Sequence, residues 1–336
     1  MKKVCIVGYG AIGPIHARAV SRLDHTQLYA VCDPNAQRAA KAVQKYGIKS
    51  FSDFDEMLQS GEVDAIHICT PHYLHKDMAV KALALGLDVV LEKPATMNAS
   101  ELDELLAAEK ASKGRLCVML QNRTKLCVRT LREIMRNEEQ TGALIGVNGY
   151  MTWYRSEEYY QSDAWRGKWA TEGGGLLINQ AIHLIDLMTY IGGEIEAVRG
   201  SISTKLLDGA IEVEDTADAL FRFKNGVRGC FYAANTSVAS TPVQMDVFFE
   251  KVRYRYADDT LYEFKNEKFV RVVCTDDDNA PGKKVWGDGH SRVIQSFYSK
   301  EKNNDSYATL ADAENSARAL FAFYESAKNG SKWLSF

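Results

Sequence analysis

Three clusters of residues in this 336-residue chain have the types and spacing that chemistry needs. Gly8-Tyr9-Gly10-Ala11-Ile12-Gly13 follows an apolar run and opens a helical pattern. In that context the first glycine makes the tight turn, the second lets backbone approach a pyrophosphate, and the third lets helix and strand pack closely. Ala11 and Ile12 supply backbone amides within the same loop. Asp33 stands 20 residues beyond Gly13, where a carboxylate accepts both ribose hydroxyls and repels a 2′-phosphate, so NAD is expected rather than NADP. The second cluster is Glu92-Lys93-Pro94, with Thr70-Pro71-His72-Tyr73-Leu74-His75 before it. A partly desolvated ammonium at Lys93 would have its pKa lowered toward the range where it exchanges a proton with a substrate hydroxyl. His72 and His75 are expected either to touch the cofactor or to cap the next helix.

The third cluster follows Gly173-Gly174-Gly175. Asn179, His183 and Asp186 stand at i, i+4 and i+7, and Tyr190 at i+11 continues the line, so one helical face carries all four. Nearly every other residue from 176 to 191 is apolar, so this helix is expected to be buried almost all round. A buried, unpartnered polar group costs roughly 1 to 3 kcal/mol, so the stripe must meet a hydrogen-bonding neighbour or a wet cavity. Before it, Trp153, Tyr154, Tyr159, Tyr160, Trp165 and Arg166 form an aromatic segment suited either to packing or to stacking on sugar faces. Trp165 and Arg166 are its leading substrate candidates; Arg123 and His290, the latter after Gly287-Asp288-Gly289, are further ones.

The elements that would position these residues divide the chain in two. Residues 4–8, 27–33, 65–70, 88–92 and 116–120 are short, near-continuous apolar runs separated by helical patterns such as 35–46 and 98–113. Such runs mark parallel strands covered on both faces, hence a doubly wound α/β domain. In such sheets ligands bind at the carboxyl ends of the strands, where the glycine run, Asp33, Thr70, Pro71, Glu92 and Lys93 all fall, so these are expected at the cofactor. A helix is expected over 124–139. Longer β-rich runs follow at 146–154, 195–205, 215–223, 227–235 and 243–256, which read as antiparallel. Asn225-Gly226 predicts a type I′ hairpin turn. Helices over 290–300 and 311–328 should pack on the sheet or return to the first domain.

The bulk composition bounds the partners. The chain is 46% hydrophobic and 25% charged, as in ordinary globular proteins, and two domains suit its length. A formal charge of −3, without any run of five or six basic residues, argues against nucleic acid. No apolar stretch approaches a membrane span, and the glycines at 8, 10 and 13 give the apolar N-terminal run a meaning other than a signal peptide. Seven cysteines, at 5, 32, 69, 117, 127, 230 and 274, lack any C-x-x-C or metal-type spacing, so reduced core thiols, no metal and a cytoplasmic location are expected.

Taken in order, Gly8 to Gly13, Asp33, Thr-Pro-x-x-x-His at 70 to 75, Glu92-Lys93-Pro94 and Gly-Gly-Gly-x-x-x-Asn-x-x-x-His-x-x-Asp at 173 to 186 resemble the Gfo/Idh/MocA oxidoreductases over essentially the whole chain. The resemblance implies a Rossmann domain at 1–122 and an α+β domain at 123–336 with an open, mostly antiparallel sheet used for homodimer or homotetramer contacts. It implies oxidation or reduction of a carbinol on a sugar, polyol or related molecule. Lys93 would transfer the proton and His183 would share the substrate hydroxyl, the two converging beside one nicotinamide ring. Many members carry Asp where this chain has Asn179, which cannot take a proton and would instead orient substrate or lysine. His72 stands where Asn is commoner. Two other readings within the fold are an NAD-dependent glycosidase working by transient oxidation and a non-catalytic nucleotide sensor; the sensor would need neither Lys93 nor His183.

Overall fold

Wholly apolar runs become the inner strands of a first sheet, because strands covered on both faces have no side exposed to water. They are β1 (Lys2–Val7), β2 (Thr26–Cys32), β4 (Ala65–Ile68), β5 (Asp88–Leu91) and β6 (Leu116–Val118); with the exposed edge strand β3 (Lys49–Phe51) they pair in the order β6-β5-β4-β1-β2-β3, every pair parallel. In this computed structural model, residues 1–235, 238–274, 288–299 and 307–335 are described, and they form two compact units. Between the strands lie helices with clear sequence signals. The helix Ala36–Tyr46 starts at Asn35, whose side chain accepts from the amides of Gln37 and Arg38, and stops at the left-handed Gly47.

The second unit is built on strands of which β9 (Thr216–Phe223), β10 (Arg228–Ala234) and β12 (Arg253–Ala257) alternate buried and less buried residues most clearly; β7 (Leu144–Thr152), β8 (Ile195–Ser203), β11 (Gln244–Phe249), β13 (Thr260–Lys265) and the exposed β14 (Lys268–Cys274) complete it. With a short β16 (Leu334–Ser335) the order is β14-β13-β12-β11-β7-β10-β9-β8-β16, antiparallel except for β7 with β10. The helix Ile182–Gly192 packs against β7, and the opposite face of the sheet carries exposed Tyr150, Leu220, Cys230 and Tyr232.

Several sequence expectations need correction. A single cut at 122/123 does not describe the chain. The helix Gly289–Tyr298 and β15 (Ala308–Thr309) belong to the first unit, where Val293, Ile294 and Phe297 join the core beside the helix Gly13–Val20 and β15 pairs antiparallel with β6. Gly287 and Lys300, at the ends of the motif and helix expected there, lie outside the described residues. The helix expected over 124–139 is two, Leu126–Met135 and Glu138–Thr141, because Asn137 caps the second through the amide of Gln140. The run 243–256 is a hairpin of β11 and β12. Asn225-Gly226 does turn β9 into β10, but only Gly226 has positive φ, and its amide donates to Phe223, so the loop is a three-residue turn with a glycine bulge rather than type I′. Two-residue turns with both φ values positive occur instead at Asp258-Asp259 and Asn266-Glu267, joining β12, β13 and β14.

Candidate functional site

The carboxyl edge of the first sheet gathers the first two clusters within one unit. Gly8 follows β1, and its amide donates to the Cys32 carbonyl at 2.8 Å. A methyl group there would sit 2.7 Å from the Cys69 carbonyl oxygen after β4, and one at Gly13 would collide with the Gly8 carbonyl. These two glycines are therefore fixed by the fold. Gly10 is different: the nearest atom to a methyl group would be an Arg38 guanidinium nitrogen at 3.9 Å. The loop is thus open at the one glycine whose backbone must approach a pyrophosphate, and the helix Gly13–Val20 starts just behind Ala11 and Ile12, so the loop fits a dinucleotide. Asp33 is buried at the end of β2; one carboxylate oxygen accepts from the Tyr9 amide at 2.7 Å and the other from the Asn35 amide at 2.8 Å. It braces the glycine loop while each oxygen keeps a further lone pair.

Thr70 and Pro71 follow β4 and lead into a turn at His72–Leu74 and the helix His75–Ala84. His75 is buried, with Nδ1 2.7 Å from the Pro94 carbonyl and Nε2 2.9 Å from the Thr70 carbonyl. Burial pushes its pKa down, against the pull of those two carbonyls, and the ring bolts the turn to the Lys93-Pro94 segment. That placement makes His75 a brace rather than a cofactor ligand. His72 is buried beside it, ring centroids 5.8 Å apart. Lys93 is half-buried just past β5 and close enough to lower the His75 pKa further.

Glu92 and His290, expected at the cofactor and the substrate, are instead buried together under the first helix. Glu92 Oε1 lies 2.8 Å from His16 Nε2 and 3.4 Å from His290 Nε2. Burial alone would raise the Glu92 pKa, but the two histidines outweigh it and hold the carboxyl well below its ordinary range. Burial pushes His16 down and His67 well down, so both rings are neutral. The tautomers then follow. His16 donates Nε2–H to the carboxylate, its Nδ1 accepts from His67 Nδ1–H at 2.9 Å, and His67 Nε2 accepts from the Tyr298 hydroxyl at 3.0 Å. His16, Glu92 and His290 place three possible ligand atoms within 4.8 Å of one another. The hydrogen that Glu92 accepts occupies the His16 lone pair a metal ion would need, so the set is a hydrogen-bonded chain.

In the second unit the helix that carries the third cluster opens with a π turn at Leu177–Ala181 and is α-helical only from Ile182 to Gly192, a departure from the uniform helix expected and a feature that favours functional sites. Asn179, His183 and Tyr190 are its half-exposed residues between Gly174 and Ile191, while Asp186 is buried. The stripe does lead out of the core. The preceding glycines are required by packing: a methyl group at Gly174 would collide with the Tyr324 hydroxyl, and one at Gly175 with the Glu214 carbonyl. Two buried carboxylates, unremarked in the sequence, hold this region. Glu214 accepts from the amides of Gly175 at 3.0 Å and Leu177 at 2.8 Å and from the Tyr324 hydroxyl at 2.9 Å. Burial nevertheless pushes its pKa up to about 7. Glu172 accepts from the Gly167 amide at 2.5 Å and from the side-chain amide of Asn179. Its place just before the glycines and seven residues before Asn179 is the signal that marks it.

Of the aromatic segment, Trp165 is half-buried and Arg166 lies over the rings of Trp165 and Tyr159, donating to the Tyr159 hydroxyl at 2.7 Å. That hydroxyl also accepts from Gln180 in the π turn, so the segment and the helix start are tied together. Arg123, in the first unit, donates to the Asp312 carbonyl at 3.0 Å.

Comparison with known proteins agrees with this architecture. The model of the oxidoreductase family with an NAD-binding Rossmann fold, Gfo/Idh/MocA, matches residues 2–120, and that of the Gfo/Idh/MocA C-terminal domain matches residues 128–255. The chain is 26% identical to myo-inositol 2-dehydrogenase of Thermotoga maritima over 91% of its own length and 84% of that protein's. It is also 26% identical to glucose-6-phosphate 3-dehydrogenase of Bacillus subtilis, over 98% and 97%. Its fold matches the WlbA dehydrogenase from Bordetella pertussis, solved with NADH and UDP-GlcNAcA, with a TM-score of 0.85 at 24% identity, covering 100% of this chain and 98% of that one. An open glycine loop after β1, a lysine past β5 and a second unit with a nine-stranded, mostly antiparallel sheet thus have one common source: the chain belongs to the Gfo/Idh/MocA family of NAD-binding oxidoreductases.

Proposed function

We propose that this protein is an NAD-dependent dehydrogenase or reductase that moves a hydride between nicotinamide and a carbinol carbon of a sugar, polyol or sugar derivative, Lys93 and His183 handling the hydroxyl proton. The observation that carries the reading is the carboxyl edge of the first sheet, where a glycine loop open only at Gly10 meets the buried carboxylate of Asp33 and the half-buried Lys93. Residues 8–13 would hold the pyrophosphate by backbone amides, and Asp33 the ribose hydroxyls, with Thr70, Pro71 and His72 lining the same edge. Bound there, the nicotinamide supplies or accepts the hydride. The chain's own residues do the rest. The Lys93 amine takes the hydroxyl proton in oxidation and returns it in reduction, His183 shares that hydroxyl, and Asn179 orients it. Trp165 and Arg166 are the substrate-side candidates, and the dehydrogenases of inositol and glucose 6-phosphate among its relatives suggest a polyhydroxylated substrate. The thiols buried in the core at Cys5, Cys32, Cys69 and Cys117 fit a reducing cytoplasm, and the exposed apolar face of the second sheet fits a homodimer or homotetramer.

The test is a panel of sugars, polyols and sugar acids offered with NAD and with NADP while NADH or NADPH formation is followed. One or more substrates should give NADH, with NADH bound more tightly than NADPH. Hydrolysis of aryl glycosides without net NADH would replace this reading with a glycosidase, and tighter NADPH binding would overturn the role of Asp33.

A further inference from the structure

Glu172 is fully buried, yet both of its oxygens are occupied by donors that matter to the site: the Gly167 amide on one and the Asn179 side-chain NH2 on the other. A carboxylate only accepts, so the Asn179 amide has one permitted orientation, NH2 toward Glu172; the flipped form would set two acceptors face to face. Asn179 is also one of the half-exposed positions of the π turn, the segment that precedes His183.

We propose that Glu172 is a positioning residue that locks the Asn179 side chain, so that position 179 presents a carbonyl oxygen and acts as an acceptor subsite for a substrate hydroxyl or a protonated amine. This deepens the dehydrogenase reading and rests on it. The negative charge that an aspartate would bring to position 179 is carried one layer deeper, on Glu172, and the exposed group does not titrate. The arrangement predicts a specific pattern of compatibility. Asn179→Asp alone sets two carboxylates together, which tolerate each other only by sharing a proton. Glu172→Gln alone releases the lock: the new carbonyl accepts from Gly167, its NH2 faces position 179, and the Asn179 amide turns over to accept from it, presenting NH2 instead of a carbonyl oxygen. The two substitutions together satisfy every group: the introduced glutamine carbonyl accepts from Gly167, and its NH2 donates to the introduced aspartate.

The experiment compares wild type, Glu172→Gln, Asn179→Asp and the double variant by thermal unfolding at pH 8 and pH 5.5 and by kcat and KM on the best panel substrate. Asn179→Asp should melt a few degrees lower at pH 8 and recover most of its loss at pH 5.5, where the pair holds a proton, while Glu172→Gln and the double variant should melt near wild type. kcat should fall roughly tenfold or more in each single variant, the cost of a misplaced contact, and return to within about threefold in the double. A double variant that melts as low as Asn179→Asp, or a Glu172→Gln enzyme with wild-type kcat, would overturn the proposal. Unfolding is read without substrate, so a chain that turns over nothing in the panel would sink the dehydrogenase reading while the melting cycle still decides whether Glu172 sets the Asn179 amide.

Discussion

At the scale of single residues, the motif glycines divide into those the fold needs and one it does not. Gly13 and Gly174 are closed off by the Gly8 carbonyl and the Tyr324 hydroxyl, whereas Gly10 faces open space. Gly10→Ala should therefore leave the melting temperature within about 2 °C of wild type while weakening NADH binding by roughly tenfold or more, because the added methyl group occupies the approach of the pyrophosphate. Gly13→Ala and Gly174→Ala should each cost several kcal/mol of stability, on the order of 3 or more, through backbone or ring displacement. Calorimetry and cofactor titration on the same three proteins check this, and a Gly10→Ala protein that binds NADH as wild type does would remove the cofactor from that loop. The phosphate loop is legible in the sequence because glycine spacing after a strand has few other meanings. Glu92 and His290 are misread there because sequence shows that Glu92 follows a strand and that His290 opens a helix, and not which way either side chain turns. Here burial beside His16 is decided by the first helix, whose own histidine carries no motif in isolation.

At the scale of elements, continuous apolar strands and alternating ones separate the two sheets correctly, since each pattern follows from how many faces are covered. The pattern does not reveal edge structure: β3, β13 and β14 are short or exposed, and the turns at Asp258-Asp259 and Asn266-Glu267 lack the glycine that makes a tight hairpin visible. The start of the π turn depends on Glu214, and its protonation gives a prediction with a definite sign. Its folded pKa of about 7 stands above the ordinary 4.5, so its contribution is full below pH 4.5 and is lost as pH rises toward 7. The histidines 16, 67 and 75, whose pKa values burial lowers, work the other way: their contribution is full above their ordinary 6.5 and is lost as pH falls below it. Glu92, depressed in the fold, adds a loss as pH falls below 4.5. Glu214→Gln, which does not titrate, should lose less stability than wild type between pH 5.5 and pH 8 in chemical unfolding. A wild-type and variant pair with parallel pH profiles would show that Glu214 stays ionised in the folded protein.

At the scale of the whole molecule, the proposed assembly and the proposed reaction both draw on the second unit. Tyr150 stacks on Tyr232 with centroids 5.8 Å apart on an exposed sheet face that also carries Leu220 and Cys230. Leu220→Glu with Tyr232→Glu should convert a dimer or tetramer to monomers in sedimentation velocity while the melting of the monomer stays cooperative; a wild-type monomer would contradict the assembly. The central claim is that Lys93 of the first unit and His183 of the second manage one proton while NAD takes or gives the hydride. Its most direct measurement is the kcat of Lys93→Met on the substrate found by the panel, with NADH affinity measured on the same protein. The account predicts a fall of about a hundredfold or more in kcat with NADH still bound within about an order of magnitude of wild type; a Lys93→Met enzyme that turns over at the wild-type rate would contradict it.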